Sequence, residues 1–172
     1  MKINVKKIHK DAVIPEFAHD TDTGFDLFTC EDTEVKGKEK GIVKTGLVFE
    51  LPLSWGFQVR NKSGMTVKGV PALKKIPYVD SEDSKVYYRY EEIRADVTVY
   101  LGTIDSAYRG EVGIMVKNEE VFDIIIPKHT KLAQGVLERV QQCVFEEVKE
   151  VNKTDRGEGG FGSTGKWKNC NK

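Results

Sequence analysis

Apolar and polar residues alternate along most of this chain in short runs, each bounded by Gly, Asp, Asn or Pro. The runs Ile3–Ile8, Gly41–Leu51, Gly56–Arg60, Ala95–Tyr100, Gly110–Val116 and Val136–Val140 put apolar side chains two positions apart, the period of a half-buried strand. Helical periodicity is scarce. A single short helix is expected near Ser63–Val67, with Ser63 as its cap. Many short strands with little helix predict an all-β fold, a sandwich, jelly roll or barrel. No internal repeat is apparent.

Residues 71–95 differ in texture. They carry Tyr78, Tyr87, Tyr88 and Tyr90 among charges, around an acidic bend at Asp80-Ser81-Glu82-Asp83. Structureless loops of that length are uncommon in compact domains, so the segment is a folded excursion, such as a surface β-hairpin, or an interaction surface.

The length, 172 residues, suits one domain with a real core. Basic and acidic residues balance at 27 each, without a basic tract, which argues against generic nucleic-acid binding and makes any phosphate affinity local. Cys30, Cys143 and Cys170 form no C-x-x-C pair and read as free thiols of a reducing compartment. The N-terminus lacks a signal-peptide core and no apolar run approaches a membrane span, so a soluble, cytoplasmic protein is expected.

The C-terminal stretch Arg156-Gly157-Glu158-Gly159-Gly160-Phe161-Gly162-Ser163-Thr164-Gly165 is half glycine. Alone it pays too much backbone entropy to hold one conformation. It does offer closely spaced N–H groups, a guanidinium, two hydroxyls and one ring, a set suited to a ligand with phosphates and a flat base. Four further segments carry chemistry. Gly102-Thr103-Ile104-Asp105-Ser106-Ala107-Tyr108-Arg109-Gly110-Glu111 presents a carboxylate at a turn, three residues before a ring. That is a base beside a sugar-packing surface, or a turn carboxylate and a half-buried Tyr. Arg60-Asn61-Lys62-Ser63-Gly64 gathers two cations, a hydroxyl and a glycine N–H, as a polyphosphate site or an exposed strand end would. In Gly24-Phe25-Asp26-Leu27 the carboxylate suits Mg²⁺ through water, or an ordinary turn. Thr130-Lys131-Leu132-Ala133-Gln134 is a polar entry into a strand.

In this order the five segments resemble the five motifs of the homotrimeric dUTPases. The third and fifth are the most specific. In the second, Lys62 stands where the family usually has Arg, with Arg60 two residues earlier; the fourth keeps only Ala-Gln and a cation. The likeness spans residues 20–165 apart from the excursion at 71–95, and that insert resembles the insert-bearing dUTPases of bacterial viruses.

The resemblance implies a jelly-roll-like β-barrel over residues 1–150, a flexible C-terminal arm over 151–172, and a three-fold trimer with active sites at subunit interfaces. It implies hydrolysis of dUTP to dUMP and pyrophosphate. Asp105 would activate the water that attacks the α-phosphorus, and Tyr108 would lie under the deoxyribose. Hairpin backbone around residues 100–105, with Ile104, would read uracil. Asp26 would hold Mg²⁺ through water. Ser63, Gly64 and Gln134 would meet the α- and β-phosphates, with the cation of the second motif being either Arg60 or Lys62. In the arm, Phe161 with Gly162 would cover uracil, and Arg156, Ser163 and Thr164 would hold the γ-phosphate. Two other readings stand beside this one: a dCTP deaminase of the same fold, and a regulatory binding protein whose 71–95 excursion docks a protein such as a repressor.

Overall fold

The computed structural model describes residues 1–160. Phe161, Gly162, Ser163 and Thr164 lie outside the described residues. The chain divides into two units, Met1–Gln141 and Gln142–Lys172.

The first unit is built from thirteen strands and one short helix. They follow the chain as β1 (Asn4–Lys7), β2 (Gly24–Phe28), β3 (Thr33–Val35), β4 (Lys40–Lys44), β5 (Leu47–Glu50), β6 (Trp55–Arg60), α1 (Ser63–Lys68), β7 (Val70–Val79), β8 (Val86–Ala95), β9 (Val97–Val99), β10 (Gly102–Ile104), β11 (Gly113–Asn118), β12 (Ile124–Ile126) and β13 (Lys131–Arg139). Four antiparallel sheets result, in the orders β1-β5, β10-β6-β13-β2, β4-β11-β9 and β3-β12-β7-β8. The expected all-β class holds.

Alternation decides which side chains enter the core. In β11, Ile114, Val116 and Asn118 are buried while Met115 and Lys117 point away. At the centre, Phe57 packs edge-on against Phe25 with ring centroids 5.4 Å apart, and lies 5.0 Å from Phe49. Gly135 of β13 pairs with Phe25 of β2, and a Cβ there would run into the Phe25 ring. The buried amide of Asn118 is satisfied by the carbonyls of Val35 and Phe122.

Several boundaries differ from the sequence reading. The Gly41–Leu51 run breaks into β4 and β5, which belong to different sheets. Gly46 takes φ 69° at the break and His9 and Ala12 crowd it, while its N–H donates to Glu111 Oε1 at 2.8 Å. The Ala95–Tyr100 run likewise changes sheet at Asp96. Helix α1 forms as expected, but Ser63 is its first helical residue rather than its cap. Lys62 occupies the N-cap position without a side-chain cap hydrogen bond, and Gly69 at φ 77° closes the helix.

The 71–95 excursion is a long hairpin, β7 with β8, in register from Val70↔Ala95 to Val79↔Val86. Only its base joins another strand, through Ile124↔Lys74 and Ile125↔Leu73. Beyond Lys75, Tyr78 packs on Tyr87, and Lys75 Nζ lies 4.4 Å from the Tyr88 ring centroid. The acidic bend forms the turn: Asp80 N–H donates to Lys85 O, and Tyr87 Oη donates to Asp83.

In the second unit, residues 142–160 contain turns and no strand or helix. Arg156 closes one turn, its Nε–H donating to Gly159 O at 2.9 Å, and Gly157 stands at φ 48°. Among the described residues, no helix is long and apolar enough to cross a membrane.

Gly135→Ala is expected to cost about 2 kcal/mol of stability, because the added methyl meets an aromatic ring in a packed sheet interior. Urea unfolding of the variant beside the parent protein measures it.

Candidate active site

The sheet β10-β6-β13-β2 carries Asp26, Arg60, Ile104 and Gln134, and the segments that leave its strands carry Lys62, Ser63, Gly64, Asp105 and Tyr108. Its central strand β13 contains a bulge: Lys131 pairs with Phe28 and Ala133 with Leu27, so one extra residue enters between them. Regular alternation would put Lys131 and Gln134 on opposite faces. The bulge puts both on the face of Asp26, which pairs directly with Gln134. On the other side Gln134 pairs with Arg60 at the end of β6.

These side chains enclose a cleft of about 300 Å³ whose lining includes Asp26, Arg60, Lys62, Gln134, Gly24 and Asp22. Asp26 is buried and is held by two ammonium groups, Lys62 at Oδ1 and Lys131 at Oδ2, the latter at 2.8 Å. Burial pushes its carboxyl pKa up, but hydrogen bonds from Lys131 and Lys62 and their charges outweigh this and hold it below the ordinary value. Arg60 pairs with Glu138. Gln134 donates from Nε2 to Asn61 O at 3.1 Å, and its side chain lies over Gly24, where a Cβ would fall 3.1 Å from Gln134 Oε1. Ser63 and Gly64 open α1 and are exposed, with nothing within 4 Å of a Cβ on Gly64.

A second group sits after β10. The turn that follows it is closed by the Tyr108 N–H donating to Asp105 O at 3.1 Å. Arg109 braces it, donating to Ser106 O at 2.7 Å and to Tyr108 O at 2.9 Å. Tyr108 Oη donates to Glu111 O at 3.0 Å, leaving the residue 44% exposed, and Asp105 is exposed. Ile104 ends β10 opposite Phe57 and packs against the core. Strand β10 is an edge strand, so one side of its backbone has no ladder partner.

The two groups do not meet within one chain. Ile104 pairs with Phe57 and Gly102 with Val59, so Asp105 lies beside the start of β6 whereas Arg60 ends it, about 13 Å away at strand rise. Arg156 belongs to the second unit. Lys131 was noted in the sequence only as a leftover cation. The signal that could have found it is the bulge-forming pair Leu132-Ala133, buried at consecutive positions.

Among the described residues, no three His, Cys, Asp or Glu side chains gather as a metal cage. One carboxylate already accepting from two lysines does not fit an ion held by the protein alone. It does fit a hydrated ion carried on phosphate oxygens and reached through water.

The comparisons with known proteins agree on one family. The dUTPase family model matches residues 92–165. The deoxyuridine 5′-triphosphate nucleotidohydrolase of Clostridioides difficile is 36% identical over 163 residues, covering 95% of this chain and 97% of that protein. That of Clostridium acetobutylicum is 37% identical over 165 residues, covering 96% and 97%. Among solved structures, Staphylococcus bacteriophage 80alpha dUTPase with dUpNHpp shares the fold at a TM-score of 0.76 and 23% identity, covering 95% of this chain and 98% of that one. The dUTPase from phage phi11 of S. aureus, described for its species-specific insert, does so at 0.69 and 20%, covering 90% and 100%. With relatives above 30% identity spanning nearly its full length, this chain belongs to the dUTPase family.

Proposed function

We propose that the protein hydrolyses dUTP to dUMP and pyrophosphate. The observation that carries this reading is the 105–108 turn: an exposed carboxylate and a half-exposed ring, both fixed by backbone hydrogen bonds, in a chain with full-length dUTPase relatives. Asp105 takes the proton from a water directed at the α-phosphorus, and Tyr108 lies under the deoxyribose, where a 2′-hydroxyl finds no room. The unpaired edge of β10 offers the backbone donors and acceptors that read uracil.

The cleft around Asp26 is the phosphate site. Lys62, now spent on Asp26, turns to the triphosphate while Lys131 keeps the carboxylate in place; Arg60, Ser63, the Gly64 N–H and Gln134 complete the cradle. Asp26 would hold magnesium through water, and the ion would neutralise phosphate charge. Arg156 and the following Phe161, Gly162, Ser163 and Thr164 close over base and γ-phosphate as an arm. The chemistry is mostly positioning and charge stabilisation.

Because Asp105 and Lys62 stand at opposite ends of β6, each working site takes them from different copies. This favours the homotrimer, acting on dUTP in the cytoplasm. A second role is favoured by the hairpin β7–β8, whose outer half exposes Tyr78, Tyr87, Tyr88 and Tyr90 and packs only on itself: it docks a regulatory protein such as a repressor.

Pyrophosphate release measured side by side with dUTP, dTTP, dCTP and UTP is expected to show a strong preference for dUTP. Asp105→Asn should lose about a thousandfold in kcat while still binding dUTP, since an amide cannot take the proton; equal turnover by the variant would overturn the assignment.

Mixing Asp105→Asn with Lys62→Ala after mild dissociation should restore hydrolysis that neither homogeneous protein shows. No recovery on mixing would mean that one chain supplies both groups.

Replacing residues 76–89 by Asn-Gly should leave hydrolysis intact and shift Tm by no more than about 3 °C, while abolishing pull-down of the partner protein. Loss of hydrolysis together with the pull-down would make the hairpin merely structural.

A further inference from the structure

The seat of Tyr108 depends on a side chain that residue 110 lacks. A Cβ built on Gly110 falls 2.5 Å from Tyr108 Cζ and 2.9 Å from Cε2, and nearer still to the hydroxyl oxygen. No carbon can stay there with the ring where it is. The backbone itself does not call for glycine. The positive-φ glycines among the described residues are Gly46, Gly69 and Gly157, and Gly110 is not one of them. The demand is therefore steric, and it comes from one side chain: the Tyr108 ring doubles back over position 110 so that its Oη can reach Glu111 O at 3.0 Å.

A methyl at 110 would push that ring without breaking the turn. The obstacle is the far end of a side chain with two free torsions, and the residue is 44% exposed, so the ring has solvent to swing into. The bonds that shape the turn, Tyr108 N–H to Asp105 O and the two from Arg109, end on backbone oxygens and do not depend on the Tyr108 ring.

We propose that Gly110 is a specificity-determining position: by leaving room for the Tyr108 ring to lie back against the chain, it sets the height of the floor on which the sugar rests. This inference rests on the reading of Tyr108 as the deoxyribose platform. A displaced ring no longer bounds the 2′ position, so a ribose fits better, while Asp105 keeps its place on the turn. The consequence falls on discrimination between sugars, which a residue needed only for folding would not alter.

The experiment measures pyrophosphate release from dUTP and UTP by the full-length parent protein, Gly110→Ala, Tyr108→Ala and the double variant. Gly110→Ala is expected to lower the dUTP-to-UTP ratio of kcat/KM by roughly tenfold, chiefly through faster UTP hydrolysis. With Tyr108→Ala the ring is gone, so adding Gly110→Ala should change the ratio no further. That double variant has no clash and reports on the coupling even if the single variant folds poorly. An unchanged ratio in Gly110→Ala, an equal loss with both nucleotides, or a further drop in the double variant overturns the inference alone. Absence of a dUTP preference in the parent protein, or a full preference in Tyr108→Ala, overturns the platform reading and this inference with it.

Discussion

The pairing of β13 between β2 and β6 is the constraint on which the site depends. It is one strand with two jobs. Its buried residues Leu132 and Ala133 join the core and Gly135 lies against Phe25, while its bulge turns Lys131 and Gln134 to one face, against Asp26. A slip of one residue would send both side chains into the interior and bring apolar ones to the cleft. The contact of Gly135 with Phe25 supports that register, because a side chain brought to this position would meet the ring. Packing in the core and chemistry in the cleft are thus settled by one set of hydrogen bonds.

Asp26 shows how the fold manages a charge it has buried. A carboxylate at 6% exposure is costly unless paired, and here it is paired twice. The two ammonium groups on Asp26 are balanced by Asp22, which also lines the cleft, and Arg60 is balanced by Glu138. An anionic ligand gains from these cations as they exchange a carboxylate for it. Using Lys62 rather than an arginine suits this arrangement, since an ammonium on a flexible stem can change partners where a planar fork is committed to one geometry.

The β class, the short helix and the strands that alternate cleanly were legible in the sequence, because period-two patterning needs no partner to be recognised. The breaks were not. Gly41–Leu51 alternates without interruption, and only the crowding of Gly46 by His9 and Ala12 shows why the chain changes sheets there. The excursion at 71–95 was legible as a change of texture that a surface β-hairpin would produce, but its register, Val70 opposite Ala95 to Val79 opposite Val86, was not. At the site, the residue types and their order were legible from motifs, whereas the partners were not. Nothing in the linear chain says that Lys62 rests on Asp26, that Arg60 pairs with Glu138, or that Asp105 and Arg60 lie at opposite ends of one strand. Those are facts of register, and register is set by pairings between residues tens of positions apart.

The outer half of the β7–β8 hairpin is mechanically separate from the interior. Its side chains lean on one another and on water, so a substitution there leaves the packing beneath it unchanged. The surface of this projection can be re-cut while the barrel keeps its shape, and recognition can be altered without retuning the chemistry.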